Sequence, residues 1–124
     1  MSRAHVELAR RGFAAAAAGD FSVIEELLHE DVKWHGGDPA SGCQNRDETL
    51  RFMRQAADRR GVGRLVDVID AGDRVVIVLE PGGEDGGTPP LRANVTTFRD
   101  GKVVEMVAYD SPEAARAAAG LLAD

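Results

Sequence analysis

The N-terminal part of the chain has the hydrophobic spacing of helices. Over residues 3–18 apolar side chains recur every three to four positions, at Val6, Ala9, Phe13 and Ala16, which predicts a helix with one buried face. Gly19 ends this helix, and Asp20 caps a second one. The buried positions expected for the second helix are Phe21, Ile24, Leu27 and Leu28.

A short strand and a loop come next. Residues 32–35 alternate as a strand does, and Gly36, Gly37, Asp38 and Pro39 end it. Asn45 is followed three residues later by Glu48, a pattern like a capping box that predicts the start of a third helix. This helix runs to about Arg60, with Leu50, Met53 and Ala57 on one face.

From Arg64 onward the hydrophobic period changes to two, which predicts strands over 64–70, 74–80, 91–99 and 102–110. Turn sequences at 70–73 and 99–102 make the sheet largely antiparallel. Residues 81–90 form a Gly- and Pro-rich loop, and Ser111 and Pro112 begin a last helix that runs from Glu113 to about Leu122. The order predicts one α+β domain over residues 1–124, with the helices on one face of the sheet.

Composition narrows the possible partners. The 124 residues carry a net charge of −6, which repels polyanions and argues against nucleic acid. A single cysteine, Cys43, forms no internal disulfide, and neither a signal sequence nor a membrane span is expected, so we expect a cytoplasmic protein. Cys43, His35 and Asp38 match no zinc spacing, and neither a metal nor a cofactor is predicted.

Three segments of the sequence carry a resemblance to a known family. They are AAGDFSVIEELLHEDVKWHG (17–36), GCQNRDETLRFM (42–53) and FRDGKVVEMVAYDSPEAA (98–115). Together with the element order, they resemble the nuclear transport factor 2-like superfamily, and within it the SnoaL-like group related to polyketide cyclases and ketosteroid isomerases. The resemblance implies a curved, cone-shaped sheet wrapped around three N-terminal helices. It also implies a mostly apolar cavity, often in a homodimer.

The catalytic residues of those isomerases are not carried over. The resemblance places the helix-one hydroxyl position on Gly12 or Phe13, and neither residue has a hydroxyl group. The position of the base falls on Gly36, unless the loop brings Asp38 into its place. The third acid falls near Asn94, whose amide has no transferable proton.

Residues 34–38 contain the first candidate site residues. Trp34 is the single tryptophan, and it offers either a flat wall for a ring-shaped ligand or core packing. His35 must point to the opposite face of the strand, unless twist at the strand end brings it to the rim. Asp38 is the best candidate for a general base, although an Asp beside a proline also suits a turn.

The last hairpin supplies the other wall. A type I turn with Gly101 in a bulge puts Asn94 and Thr96 on one face with Val104, Met106 and Ala108, whereas a two-residue turn shifts that set by one; the resemblance favours the bulge. Asn94 and Thr96 then need partners, which are a ligand, water or each other. The remaining residues expected to bind the ligand are Phe13, Met53, Arg92 and Asp110.

Two functions follow from these expectations. The first is a homodimeric protein that binds a small ligand, which is apolar or ring-shaped. If it is an enzyme, it is a cofactor-free isomerase, cyclase or hydratase in which Asp38 and His35 transfer protons and Asn94 donates to an oxyanion. The alternative is a non-catalytic binding or dimeric assembly module with a filled cone. An open pocket favours the first, and a packed interior favours the second.

Overall fold

The computed structural model describes residues 3–38, 40–60, 63–80 and 91–121. The elements in chain order are α1 (Arg3–Ala17), α2 (Phe21–Leu27), β1 (Leu28–His35), α3 (Arg46–Arg60), β2 (Arg64–Ala71), β3 (Arg74–Glu80), β4 (Arg92–Arg99), β5 (Lys102–Tyr109) and α4 (Pro112–Ala118). This is the predicted order. The predicted loop at 81–90, Pro39 and the predicted end of α4 at Leu122 lie outside the described residues.

The strands form a five-stranded sheet in the order β1-β5-β4-β3-β2. All neighbouring pairs are antiparallel except β1 and β5, which run parallel. The predicted α+β class with a largely antiparallel, curved sheet is confirmed. β1 is longer than predicted because Leu28, the C-cap of α2, already has extended backbone and pairs with Val103.

The inner face of the sheet, defined here as the face that packs against α1, α2 and α3, holds the main core. Fully or nearly buried side chains from the strands meet Ile24 of α2 and Leu50 of α3 there. The strand members of this cluster are Leu28, Val32, Val68, Val75, Phe98, Val103 and Met106. The interior of the cone is therefore packed with the protein's own side chains.

The outer face, opposite to the inner one, is covered in part by α4. Ala115 and Ala119 pack against Val76, Val78 and Val95, which alternate with the inward-facing residues of β3 and β4. The expectation that all helices lie on one face of the sheet was therefore wrong. Strand β3 is apolar on both sides, with Val75 and Ile77 facing inward and Val76 and Val78 facing outward. A central strand with this pattern needs a cover on each face.

The predicted helix caps are confirmed. The side chain of Asp20 accepts a hydrogen bond from Ser22 N, and that of Ser111 accepts from Ala114 N. Asn45 Oδ1 accepts from the Glu48 backbone N at 2.9 Å. The return bond differs from a capping box, because Glu48 Oε1 accepts from the backbone N of Gln44.

The β4–β5 hairpin closes differently from the expectation. Arg99 pairs with Lys102 across a two-residue turn in which Asp100 and Gly101 both have positive φ, at 53° and 79°, as a type I′ turn requires. The bulge lies further along, where the register shifts between Thr97 and Phe98. It restores the predicted face for Asn94, Thr96 and Met106. Val103 takes the inward place expected for Val104.

Candidate functional site

The loop after β1 folds back onto the strand that precedes it. Cys43 N donates to Trp34 O at 2.8 Å and Trp34 N donates to Cys43 O at 3.1 Å, which closes the free edge of β1 as a strand would. Gly42 makes this approach possible, because a Cβ there would lie 2.0 Å from Trp34 O and 2.8 Å from His35 Cα. The loop is thus held against β1 by backbone contacts.

His35 lies on the outer face, as alternation with Trp34 predicts. Its side chain is 4% exposed, and its Nε2 lies 2.8 Å from Glu105 Oε2. Nδ1 accepts a hydrogen bond from Gly37 N at 3.0 Å. Nε2 is therefore the nitrogen that carries the hydrogen atom, and it donates a hydrogen bond to the carboxylate of Glu105. Both ring nitrogens are occupied, and the ring ties β5 to the start of the loop.

Asp38 lies in the exposed part of the same loop. Its Oδ1 accepts from Ala40 N at 3.0 Å, and its backbone O accepts from Ser41 N and Ser41 Oγ. These bonds are those of a local turn, which was the alternative interpretation of this residue. The structure does not bring Asp38 into hydrogen-bond contact with His35 or Asn94.

Asn94 and Thr96 both lie on the inner face. Thr96 is buried, and its hydroxyl donates to Asn94 Oδ1 at 2.8 Å. Each therefore partners the other, which was one of the alternatives. This bond occupies Asn94 Oδ1 and leaves Asn94 Nδ2 without a hydrogen-bond partner among the described residues.

The inner face of the sheet around Asn94 and Ala108 is called the cone mouth here. Trp34 lies on the same face two strands away, and the exposed pair of Arg92 and Asp110 lies next to Asn94 and Ala108. Ala108 pairs with Asn94 on the inner face and is nevertheless exposed, so none of the helices that the structure describes covers the sheet at this level. Arg92 Nη1 lies 3.9 Å from Asp110 Oδ1, and both side chains are exposed. This pair places two exposed groups of opposite charge next to Asn94 and Ala108.

Trp34 forms the apolar wall together with a residue of α3. It is half-buried, faces inward beside Met106 and packs against the core cluster. The ring of Phe52 meets it edge-on at 5.0 Å between centroids, and Phe52 is 50% exposed. An aromatic pair with this much exposed apolar surface is suited to contact a ring.

The other predicted ligand-binding residues lie away from the cone mouth. Met106 is buried in the core cluster and Met53 packs against it, while Phe13 is half-buried on α1. Among the described residues, two clefts of about 540 and 280 Å³ lie at the surface and not inside the cone. The first lies between α1 and β2 beside Val6 and Arg10. The second lies beside α4 on the outer face.

Cys43, the remaining candidate in the loop, has a partly buried thiol. Burial raises the pKa of the Cys43 thiol, and a hydrogen bond with Thr49 partly offsets this shift.

Within the described parts of the chain, no three His, Cys, Asp or Glu side chains are grouped so as to hold a metal ion. No helix described for this protein is long and apolar enough to cross a membrane.

Two residues of these sites, Glu105 and Phe52, were missed from the sequence, and the exposure of Ala108 was not predicted. Glu105 is 70 residues from its partner His35, and nothing local indicates the pair. Ala108 was placed on the correct face, but its exposure depends on where the helices end. The position of Phe52 could have been predicted from its neighbours. It precedes the core-facing Met53 on α3, and a large aromatic side chain next to the buried face of a helix can reach a neighbouring strand.

Comparisons with known proteins agree with this fold. The model of the SnoaL-like domain family matches residues 9–106. The chain is also 28% identical, over 89% of its length, to the ECF RNA polymerase sigma factor SigJ of Mycobacterium tuberculosis. It spans 38% of the length of that curated relative.

Solved structures with the same fold include an NTF2-like protein of unknown function from Mesorhizobium loti. It has a TM-score of 0.72 and 24% identity, with 87% of this chain and 91% of that chain covered. A proposed ketosteroid isomerase from Kribbella flavida has a TM-score of 0.70 and 17% identity, with 86% and 77% covered. These similarities confirm the expected NTF2-like fold and concern the fold alone.

Proposed function

The chain belongs to the SnoaL-like domain family, and on that premise we propose that it binds a small, mainly apolar carbonyl compound at the cone mouth and does not convert it. One observation carries the proposal. The Thr96 hydroxyl occupies Asn94 Oδ1, so the Asn94 amino group is left to donate to a ligand oxygen at the cone mouth.

The aromatic wall supplies the apolar part of this binding site. Trp34 and Phe52 together present ring surface, and Trp34 lies on the same face of the sheet as the amide donor, two strands away. An apolar wall with a single well-placed polar group is the usual composition of a small-molecule site. We therefore expect the ligand's ring to lie against Trp34 and its carbonyl oxygen to meet Asn94 Nδ2.

The placement of the acid–base candidates favours binding over catalysis. His35 uses both ring nitrogens on the outer face, and Asp38 is engaged in an exposed turn. Asn94 has no transferable proton. A proton-transfer reaction needs a titratable group within reach of the reacting atom, and the three predicted groups are spread over two faces of the sheet and a loop.

The direct test is the fluorescence of Trp34, the single tryptophan of the sequence, during titration with butyrophenone, an aromatic ketone without charge. We expect saturable quenching. Asn94→Leu should weaken binding about tenfold, because one hydrogen bond of roughly 1 to 1.5 kcal/mol is lost. Gln55→Leu changes an exposed amide of α3 in the same way and should leave binding unchanged. No saturable response, or equal affinity of the Asn94 variant, contradicts the proposal.

A second candidate is an assembly module, and two observations favour it. The interior of the cone is packed by its own core cluster, and the matched part of SigJ is a fraction of a longer transcription factor. In this case the domain would act through a protein contact. A wild-type protein that is silent to butyrophenone and associates with itself in sedimentation would support it. The expected homodimer and cytoplasmic location stay predictions under both candidates.

A further inference from the structure

We infer that the ligand carries a carboxylate as well as a carbonyl group, and that Arg92 binds this carboxylate at the rim of the cone mouth. The inference rests on the proposed function and adds the chemical class of the ligand, a ring-bearing keto acid. Its basis is the arrangement of hydrogen-bond donors along β4.

Arg92 and Asn94 are successive inward-facing residues of β4. Arg92 pairs with Leu79, and Asn94 pairs with Ile77 and Ala108. Such positions are about 7 Å apart along a strand. Asn94 has an amino group without a hydrogen-bond partner among the described residues, and Arg92 has an exposed guanidinium, so both residues offer N–H donors. Two donors in a row match a ligand with two acceptor groups.

Asp110 is the acidic neighbour of Arg92, and it leaves the guanidinium accessible. The distance of 3.9 Å between Arg92 Nη1 and Asp110 Oδ1 is long, the Arg92 side chain is 59% exposed and Asp110 is fully exposed. An exposed pair of this kind is weak. A guanidinium has five N–H donors and binds a carboxylate best through two parallel bonds. A ligand carboxylate can therefore share or displace this contact.

The position of the aromatic wall fixes the order of groups in the ligand. Trp34 lies on β1 beside Met106 of β5, and Asn94 lies on the next strand, β4. Trp34 is level with Thr96, because both pair with Met106. Two strand spacings across the sheet and two residues along β4 therefore separate Trp34 from Asn94, about 12 Å between backbones. A ring on Trp34, a carbonyl group at Asn94 and a carboxylate at Arg92 then follow one another across the cone mouth.

The test compares 3-benzoylpropionate with its methyl ester by isothermal titration calorimetry. The two probes share the ring and the ketone and differ in the negative charge. We expect the wild-type protein to bind the acid about tenfold more tightly, the scale of a charge-assisted hydrogen bond. Arg92→Gln should remove this preference and leave the affinity for the ester unchanged. Arg99→Gln, at the other end of β4 and also exposed, should keep it.

Asp110→Asn gives a second readout with the opposite sign. It removes the competing carboxylate, so the acid should bind several-fold more tightly while the ester does not change. Equal binding of acid and ester in the wild type, or a preference that survives Arg92→Gln, overturns the inference and leaves the proposed function standing. If neither the acid, the ester nor butyrophenone binds, the proposed function fails, and the inference with it.

Discussion

Trp34 and His35 are neighbours in sequence, yet they belong to opposite faces of the sheet with different chemistry. On the inner face Trp34 joins apolar side chains, Thr96 and the donor of Asn94. On the outer face His35 is buried between Glu105 and the backbone of Gly37. Alternation along β1 is the cause. The histidine, which looked like a catalytic group in the sequence, has a structural role.

The outer face therefore contributes to the stability of the fold, and the inner face contributes to ligand binding. The outer pair of His35 and Glu105 ties the start of the loop to β5, whereas the inner face leaves an amide donor open at the cone mouth. Loss of an outer contact should therefore reduce stability and spare ligand affinity. Loss of the Asn94 amino group should lower ligand affinity.

The largest effect is expected at the point where the loop meets β1. Gly42→Ala places a Cβ 2.0 Å from the backbone oxygen of Trp34, so the loop must move and the Trp34–Cys43 bonds must break. We expect a loss of about 3 kcal/mol in the free energy of unfolding, measured by urea denaturation.

Gly36→Ala is the matched control for this change. Its added Cβ meets no atom within 4 Å, so its stability should stay within about 0.5 kcal/mol of the wild type. If Gly42→Ala is as stable as this control, the loop is not held against β1 as described.

A smaller effect is expected from the outer pair. Glu105→Ala leaves the buried Nε2–H of His35 without its acceptor, which should lower the free energy of unfolding by about 2 kcal/mol. Glu113→Ala removes an exposed glutamate in the first turn of α4 and should cost less than about 1 kcal/mol. The folded Glu105 variant should bind butyrophenone as the wild type does. A loss of affinity in that variant would break the distinction between the two faces.

A similar effect on stability is expected at the start of α3. Asn45→Ala removes the acceptor for the Glu48 backbone N and should lower the free energy of unfolding by about 1 kcal/mol. Asn45 precedes the helix that carries Phe52, so the aromatic wall should loosen at the same time. Unchanged stability would show that the cap bond is absent in solution.

The smallest effect concerns the Cys43 thiol. Burial raises its pKa above the usual 9.0, so less thiolate is present at a given pH and iodoacetamide should react more slowly with the native protein than with the protein in urea. The same shift stabilises the fold below the unfolded pKa, and that contribution is lost as the pH rises through the native value. Equal rates in both states would contradict a buried thiol.

Much of the fold could be predicted from the sequence because helix caps, hydrophobic periods and turn sequences are local features. The caps at Asp20, Asn45 and Ser111 and the change of period at Arg64 set the element order. The Asp-Gly pair at 100–101 fixed the second hairpin, although the turn was assigned to the wrong type. These features depend on residues close together in the chain, where backbone preferences and hydrogen bonds suffice to decide the structure.

The site was harder to predict because it depends on contacts distant in sequence. The bond between His35 and Glu105 follows from the parallel pairing of β1 with β5. No turn sequence connects these two strands, so the pairing could not be predicted from local sequence. The cover of the outer face by α4 depends on which side of the sheet the last connection takes. The exposure of Ala108 depends on how much of the inner face the helices cover. Strand register and the arrangement of helices on the two faces of the sheet determine these contacts, and local propensity does not predict either of them.

The most direct test of the account is a titration of the ¹⁵N-labelled protein with butyrophenone, followed by NMR. The account predicts progressive shifts of the Asn94 side-chain amide, the Trp34 indole and the Ala108 backbone amide, with the ring signals of His35 unchanged. Shifts confined to His35, Glu105 and the outer face, or to the cleft beside α4, would contradict binding at the cone mouth.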